Sequence, residues 1–454
     1  LNRIIIPVQP SLSVRRAASK KRGLNRDYDP VQPSHFLTPL RSRRKQARIL
    51  GTYPMRKRQP RGTYMSSELS YVLFTPYTIA RSRTGGVLSR LLVRLDLELV
   101  GAQMIAPTEE LAAGFAQSEF EHSPSGGLIG QLKKDYILKT FTPSNGRRHR
   151  VLLLLFRGKD AVEKLKTVAG PIFPERRSLE SAKGETIRDT YGDVVYDEKT
   201  PDRIEYFEPV VFTAETEDHC KATLKLFQSF LAREQNLVEN VSYDHPERIE
   251  RTLVIIKPDN WVVPSSRPGT IIDMFSRTGL RIIGTKILQM SVAEALEFYG
   301  PVEEALREKL GPRMGQSAVE QLESKFSLKL KEEESKRIAE TFGTAFAREQ
   351  FYQIVGFMTG VRPDLCPEGD TDCPGKSMCM VLVYEGENAV ARIREVLGPT
   401  DPLKAPAGTV RREFGSNVMV NTAHASDSPE NALREMGIVK ISKNNCAEII
   451  ERSL

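Results

Sequence analysis

Cysteine and long apolar runs are both scarce in this chain of 454 residues. The five cysteines are scattered, which is typical of a reducing compartment and argues against a disulfide scaffold. No apolar run approaches the roughly 20 residues that a membrane span needs, so we expect nothing to cross a bilayer. At 454 residues the chain is long enough for two or three domains. Because 40% apolar and 27% charged residues is ordinary globular composition, we also predict a sizeable core. We expect a cytoplasmic protein.

Metal-binding patterns are equally scarce. Cys366, Cys373 and Cys379 lie within one stretch, but they form no CxxC pair and no histidine is close. A loop with incidental thiols is therefore a better interpretation than a zinc site. We assign no metal ligand to the protein.

The charge is unevenly divided along the chain. Residues 1–64 hold 16 Lys or Arg and two Asp, a net charge of +14, which leaves −6 for the rest of a chain that totals +8. The folded part is therefore mildly acidic, which disfavours nucleic acid as its partner. We predict that residues 1–65 are a disordered basic arm, because a segment rich in Pro, Ser and Arg buries too little apolar surface to offset the entropy of ordering.

Three interpretations of this arm stay open. It could be an over-extended reading frame, with translation starting at Met55 or Met65. It could be a basic tail that contacts nucleic acid or acidic surfaces. It could also be an organelle-targeting segment, although it lacks an amphipathic stripe.

Histidine is rare too, with six in the chain, and one of them has an unusual setting. His424 lies in the run Asn421-Thr-Ala-His-Ala-Ser-Asp-Ser428. The neighbours are too small to bury the imidazole yet polar enough to fix its tautomer, which suits a nucleophilic or acid–base histidine. Taken alone, the run also fits a solvated loop histidine.

Other residues favour the functional interpretation. An apolar strand delivers Lys257 at its end, in Arg251-Thr-Leu-Val-Ile-Ile-Lys-Pro-Asp259, and further polar groups follow along the chain. Together they provide three cations and several hydrogen-bond donors, a set that suits a polyphosphate. The set comprises Lys257, Arg394, Thr400, Arg411, Asn421 and Glu435.

Residues 250–454 resemble a nucleoside diphosphate kinase. The resemblance rests on the strand that ends in Lys-Pro-Asp and on Asn421-Thr-Ala-His-Ala-Ser-Asp427, which matches the family signature Asn-x-x-His-Gly-Ser-Asp except at Ala425. It implies transfer of the γ-phosphate of a nucleoside triphosphate such as ATP to nucleoside diphosphates, through a phosphohistidine on His424. It also implies Mg²⁺, carried by the nucleotide phosphates, as the cofactor.

The resemblance further implies a role for each site residue. Lys257, Arg394 and Arg411 would clamp the phosphates, while Thr400 and Asn421 would donate hydrogen bonds to phosphate or ribose. Glu435 would hold one imidazole nitrogen, and Ser426 would add a bond from the other side. Two aromatic residues complete the set: Tyr299 near the phosphate, and Phe351 either stacked on the base or placed in the core.

The sequence also contains the same unit twice. Gly86 to Gly101 and Gly269 to Gly284 each span 15 residues, and Gly158 to Gly170 and Gly386 to Gly398 each span 12. Each pair flanks a helical stretch next to an apolar strand. We therefore predict a tandem duplication with two modules: an N-terminal module of residues 66–235 and a C-terminal module of residues 250–454, joined by a connector at 236–249.

The two modules differ where chemistry would occur. Phe212 occupies the place of His424, and a phenylalanine cannot accept a phosphoryl group, so we predict an inactive N-terminal module with a structural or assembly role. Only Arg188 matches its partner, Arg411. The other pairs are Thr75 with Lys257, Lys166 with Arg394, Ile172 with Thr400, Pro209 with Asn421, and Thr223 with Glu435.

Alternating strands and helices predict an α/β layer fold (an α+β sandwich), and the resemblance implies two tandem ferredoxin-like β-α-β-β-α-β domains. Residues 300–346 are predicted to form one or two charged helices inserted into the C-terminal module, and residues 362–375 a loop. The alternative function is a non-catalytic nucleotide-binding or scaffolding protein. Because family members usually form hexamers of single domains, a trimer of tandem chains is a natural hypothesis.

Overall fold

Two four-stranded sheets form the framework of the chain. The computed structural model describes residues 67–123, 127–172, 184–196, 204–239 and 242–454, all within the compact unit Thr63–Leu454. The basic arm predicted at residues 1–65 lies outside the described residues. Helices and antiparallel strands are mixed throughout, which confirms the predicted α+β class.

The N-terminal module alternates strands and helices. Its longer strands are apolar runs buried on both faces, and Thr108 begins a helix by accepting a hydrogen bond from the Leu111 amide at 3.2 Å. The elements are β1 (Glu68–Phe74), α1 (Pro76–Ala80), α2 (Thr84–Arg94), β2 (Glu98–Ile105), α3 (Glu109–Glu121), α4 (Leu128–Phe141), β3 (Val151–Gly158), α5 (Ala161–Ala169), α6 (Ile187–Tyr191), β4 (Asp193–Tyr196), β5 (Ile204–Glu208), β6 (Val211–Thr213) and α7 (Glu217–Leu231).

The C-terminal module follows a similar order with extra helices. Ser291 and Glu294 form a capping box at the start of α9. The elements are β7 (Ile249–Ile256), α8 (Arg267–Ser276), β8 (Arg281–Leu288), α9 (Val292–Phe298), α10 (Gly300–Ala305), α11 (Gly311–Phe326), α12 (Glu332–Thr359), β9 (Cys379–Glu387), α13 (Ala389–Leu397), α14 (Val410–Phe414), β10 (Ala423–Ala425), α15 (Pro429–Ile438) and α16 (Cys446–Glu451). None of the described helices is long and apolar enough to cross a membrane.

The two sheets have the same strand order. The first runs β2-β3-β1-β6 and the second β8-β9-β7-β10, with every neighbouring pair antiparallel. Within each module this places the first strand between the third and the fourth, which is the arrangement expected for a β-α-β-β-α-β unit. An additional hairpin, β4–β5, belongs to the N-terminal module.

The registers of the two sheets also correspond. Glu68 of β1 pairs with Gly158 of β3, as Glu250 of β7 pairs with Gly386 of β9. Each glutamate side chain accepts a hydrogen bond from a backbone amide in the helix after the glycine: Glu68 from Val162 at 3.0 Å, and Glu250 from Val390 at 3.2 Å. Each second strand carries one register shift, between Leu99 and Gly101 and between Ile282 and Gly284. The two modules therefore correspond in register and in the position of the irregularity, as well as in their motif spacings.

The modules share a hydrophobic core. Side chains of a strand alternate between its faces, and in β1 Val72 and Phe74 join the same buried cluster as Val254 and Ile256 of β7. The alternate residues of the two strands lie in two separate clusters, and the cluster of β1 also includes Cys446 and Ile450 of α16. One face of each sheet therefore contributes to the junction, while the other face covers a core of its own.

Two contacts hold this junction at close range. Helices α2 and α8 cross where a Cβ on Gly85 would overlap the carbonyl oxygen of Gly269, so only glycine allows this approach. The Asn444 amide donates to the carbonyls of Ala102 in β2 and Thr285 in β8, at 2.9 and 3.0 Å. The predicted connector begins with the buried Asn236, whose backbone N–H donates to the Ser442 carbonyl at 3.1 Å.

The predicted helical insertion consists of α10, a π-helical turn at Leu306–Leu310, α11 and the first half of α12. Helices α11 and α12 form a tight hairpin, because a Cβ on Gly315 would overlap the Ala339 backbone. The loop predicted at 362–375 contains only a short 3-10 turn, Pro363–Leu365.

Candidate active site

His424 is the central residue of the short edge strand β10. It pairs with Ile255 of β7, and its side chain is 21% exposed between the buried Ala423 and Ala425. The chain enters the strand through Thr422, which has a φ of +75°, and the Thr422 carbonyl accepts the Lys257 amide at 2.9 Å. This connection places the C-terminal end of β7 beside the N-terminal end of β10, and so places Lys257 and His424 at the same end of the sheet.

One carboxylate fixes the imidazole. Nε2 of His424 lies 2.9 Å from Oε2 of Glu435, which is itself buried in α15. An ionised carboxylate accepts, so Nε2 carries the proton and Nδ1 keeps its lone pair. A histidine held in this way presents Nδ1 as the nucleophilic nitrogen.

Ser426 supports the carboxylate instead of the imidazole. Its hydroxyl donates to Oε2 of Glu435 at 2.7 Å and also accepts from the Leu253 amide at 3.3 Å. The predicted bond from Ser426 to the other side of the ring is thus corrected. Alternate residues of a strand lie on one face, so Ser426, two residues beyond His424, reaches the ring's partner.

Two aromatic side chains line the imidazole. The Phe298 ring lies edge-on to His424 with centroids 5.1 Å apart, and Tyr299 lies 6.4 Å away. The Tyr299 hydroxyl is buried with no hydrogen-bond partner among the described residues, and burial raises its pKa. Phe298 was missed in the sequence, where its only signal was its position next to Tyr299.

Lys257 is a buried cation held by an amide. Its Nζ donates to Oδ1 of Asn421 at 2.7 Å, while burial and the repulsion from Arg411 lower its pKa to about 8. The Asn421 Nδ2 donates to the carbonyls of Thr400 and Val418, at 3.1 and 2.8 Å. Both donors of Asn421 are engaged within the protein, so the predicted hydrogen bond from Asn421 to phosphate or ribose is corrected: Asn421 positions Lys257. The exposed Thr400 lies at the rim.

Arg411 and Arg394 complete the cationic set. Arg411 donates to the carbonyls of Gly398 and Ala423, at 3.0 and 3.1 Å, which holds its guanidinium against the residue that precedes His424. Burial, and then repulsion from the nearby Arg394, lower the pKa of Arg411 to about 10. Arg394 is exposed in the last turn of α13. Three positive side chains thus converge on the edge that carries the imidazole, a setting for an anion.

Phe351 is not part of this site. Its ring is 1% exposed and packs in the core of the C-terminal module with Val355 and Met358. A base-stacking ring needs an accessible face, so the prediction of stacking by Phe351 is corrected and the core alternative holds. The inserted helices made its register hard to assign from sequence.

The equivalent edge of the N-terminal module is filled by apolar rings. Phe212 is fully buried and lies edge-on to Phe115, with centroids 5.4 Å apart. Thr75 donates to the buried Glu208 at 3.0 Å, and Thr223 bonds Ser118 at 3.0 Å. The N-terminal module therefore has no nucleophile at Phe212, no orienting carboxylate at Thr223 and no lysine at Thr75.

Metal ligands do not cluster in the described ranges, where no group of three or more His, Cys, Asp or Glu is arranged to hold an ion. Near His424 the carboxylates are engaged: Glu435 with the imidazole, and Asp427 with the Asn431 amide at 2.6 Å. The remaining groups are cations and N–H donors. This set fits phosphates that bring their own divalent ion.

Comparison with known proteins gives one consistent family. A model described as nucleoside diphosphate kinase matches residues 250–310 and 368–443, and the unmatched interval contains α11 and α12. A nucleoside diphosphate kinase of Anaeromyxobacter sp. (strain K) is 36% identical over 188 residues, covering 41% of this chain and 86% of that protein. Another, from Bdellovibrio bacteriovorus, is 34% identical over 190 residues, covering 42% and 92%.

A solved structure of an NDP kinase from Pyrobaculum aerophilum is 28% identical, covers 42% of this chain and 94% of that one, and has a TM-score of 0.29. The identity and coverage of the two bacterial relatives, rather than this low TM-score, carry the family assignment.

Proposed function

The chain belongs to the nucleoside diphosphate kinase family of phosphotransferases, and we propose that its C-terminal module transfers phosphoryl groups through Nδ1 of His424. The observation that carries the proposal is the 2.9 Å contact between Nε2 and Glu435, since it leaves Nδ1 as the nitrogen with a lone pair. The three cations around the ring supply the charge that a triphosphate needs.

In the first half-reaction, the Nδ1 lone pair attacks the γ-phosphorus of a nucleoside triphosphate. The N–P bond forms as the bond from the γ-phosphorus to the β–γ bridging oxygen breaks, and the nucleoside diphosphate leaves with that electron pair. The ring becomes positively charged, and the Glu435 carboxylate stabilises this charge through Nε2–H. In the second half-reaction, a terminal phosphate oxygen of another nucleoside diphosphate attacks the phosphorus and the N–P bond breaks.

The cations act electrostatically in both half-reactions. Negative charge spreads over the phosphoryl oxygens in the transition state, where Lys257, Arg394 and Arg411 would neutralise it. Thr400, at the rim, would donate a hydrogen bond to the nucleotide, and Asn421 would hold Lys257 in position. Mg²⁺, held by the nucleotide phosphates, would offset part of their charge; no protein carboxylate is needed for it.

We infer that the N-terminal module arose by duplication and is not a second transfer site. The shared registers and bulges support the duplication, and the buried Phe212 argues against transfer. The assembly of tandem chains into a trimer stays a prediction, as does a cytoplasmic location. The mass of the particle in solution tests the assembly, because a monomer would reject it.

The experiment that tests the proposed function is phosphorylation of a nucleoside diphosphate by the full chain and by its His424→Ala variant. The proposal expects turnover by the unaltered chain and loss of it in the variant. Turnover in both would place the chemistry elsewhere. Nucleotide binding without turnover in the unaltered chain would favour the alternative, a non-catalytic nucleotide-binding protein.

A further inference from the structure

The N-terminal module contains a cavity that the proposed function does not use. It has a volume of about 560 Å³ and lies between α4, α5 and α6. We call it the first-module cavity. Five charged side chains line it, together with small and apolar ones; the charged ones are Lys133, Lys166, Arg188, Glu163 and Glu215.

Arg188 is the most informative of these residues. It is 5% exposed and donates to the carbonyls of Gly170 and Val211, the second at 2.8 Å. Its Nε has no hydrogen-bond partner, and none of the ion pairs in the described part of the chain includes it. Glu215 and Glu119 act on this guanidinium from beyond ion-pair distance. A buried charge with no direct ion-pair partner is costly, so one that lines a cavity is suited to bind an anion.

This arrangement repeats that of Arg411. Both arginines donate to the glycine after the preceding helix and to a carbonyl of the short edge strand, and both have an unpartnered Nε. Burial lowers the pKa of each to about 10. The N-terminal module has thus kept the arginine in its geometry although it has lost the histidine.

A second cation lies at the cavity mouth. Lys166 occupies the last turn of α5, as Arg394 does in α13, and the amide of the following glycine bonds its carbonyl at 2.9 Å in both cases. The Lys166 side chain is 41% exposed and has a carboxylate partner, Glu163, only at 3.4 Å. It can therefore turn towards an anion bound in the cavity.

The carboxylates at the cavity have closer partners than Arg188. Lys133 is almost fully buried and lies 3.1 Å from both Glu119 and Glu215. His219 Nε2 also lies 3.4 Å from Glu119, so a lysine and a histidine contact the two carboxylates at the inner wall. Glu163 is 68% exposed to solvent. Arg188 and Lys166 therefore remain as the cations that a ligand can pair with.

We propose that the first-module cavity binds a phosphate-bearing ligand, such as a nucleoside diphosphate, and does not transfer its phosphoryl group. Arginine pairs with two phosphate oxygens at once, and the cavity volume is in the range of small-ligand sites. Transfer is absent because Phe212 offers no lone pair at the position equivalent to His424. The ligand would tie α5 to α6, and so stabilise the N-terminal module.

The test is the number of ADP molecules bound per full-length chain, measured by equilibrium dialysis with labelled ADP. Lys166→Glu reverses a charge at the cavity without removing a buried contact. Lys221→Glu is the matched control, because Lys221 is an exposed lysine of α7 in the same module and does not line the cavity. Both variants should retain phosphoryl transfer at His424, which also reports correct folding.

The proposal expects Lys166→Glu to bind one ADP fewer per chain than the unaltered protein, or to bind it at least about tenfold more weakly. Lys221→Glu should bind the full number. The same count in the unaltered chain and Lys166→Glu would overturn the proposal, as would an equal loss in both glutamate variants. Should transfer at His424 prove absent, the difference between Lys166→Glu and the unaltered chain would still decide this point.

Pyrophosphate distinguishes the source of the bound phosphate. If it displaces the ADP that depends on Lys166, the phosphates alone are recognised; if only nucleotides do so, the nucleoside also contributes. Either result supports a phosphate-bearing ligand. Lack of saturable, Lys166-dependent binding with either probe would reject it.

Discussion

Glu435 Oε2 accepts two hydrogen bonds, from His424 Nε2 at 2.9 Å and from the Ser426 hydroxyl at 2.7 Å. The carboxylate is buried in α15, while the two donors come from β10 and the residue after it. A side chain on a helix thus fixes the tautomer of a histidine on a strand. This contact determines which ring nitrogen is available as a nucleophile.

Replacement of Glu435 by Gln tests that contact. The amide keeps the shape but loses the negative charge that stabilises the positive ring, so kcat should fall by roughly 10–100-fold. Steady-state kinetics of diphosphate phosphorylation measure the change. Glu430→Gln, on the exposed side of the same helix, is the control and should leave kcat unchanged; equal effects of the two variants would show that Glu435 has no positioning role.

The pH dependence of transfer tests Lys257. Its pKa is lowered to about 8, so the ammonium predominates below this pH and the neutral amine above it. Because only the ammonium neutralises phosphate charge, kcat/KM should fall as the pH rises through about 8. The arginine of Lys257→Arg keeps its charge at higher pH. The fall of kcat/KM in this variant should therefore occur at a higher pH than in the unaltered chain, even if its activity is lower throughout. An identical alkaline limb in both proteins would assign the titration to another group.

Gly269→Ala tests the junction between the modules. The added Cβ would overlap the Gly85 carbonyl oxygen, and overpacking of this kind costs about 1–3 kcal/mol. Calorimetry should therefore record a lower melting temperature. Gly437→Ala, in helix α15 where a Cβ meets nothing within 4 Å, should leave the melting temperature unchanged or raise it. A Gly269→Ala protein as stable as the unaltered chain would contradict this close approach.

Phe212→His, made in the His424→Ala background, tests whether the N-terminal module lacks more than a nucleophile. We expect no transfer, because Thr223 and Thr75 stand where Glu435 and Lys257 would be needed, and because position 212 is fully buried. The assay is the same diphosphate phosphorylation. Recovered turnover would show that this module retains a working site.

Much of the site could be predicted from sequence because its members lie in short, ordered motifs. The run Asn421–Asp427 and the strand that ends at Lys257 brought together the nucleophile and the first cation. The contact between Asn421 and Lys257, and that between Ser426 and Glu435, depended on side-chain directions after folding. A motif gives residue order, but it does not say which of two nearby polar groups a hydroxyl or amide will reach.

The class of the fold was predictable for a similar reason, because apolar runs and glycine intervals repeat; the β-α-β-β-α-β arrangement was implied only by the family resemblance. The burial of Phe351 and the contact of Phe298 with His424 could not be predicted from the sequence, because both depend on how helices interrupted by an insertion pack against the sheet. The core shared by Val72 and Val254 was also hidden. Alternation shows which residues share a face of a strand, but not what covers that face.

The most direct measurement is the identification of the phosphorylated atom after incubation with γ-labelled ATP. We expect acid-labile, base-stable label on His424, attached to Nδ1, and none in the His424→Ala variant. Label on Nε2 would contradict the orientation set by Glu435. Label that persists after His424→Ala, or an unaltered chain that never becomes labelled, would contradict phosphoryl transfer through this residue.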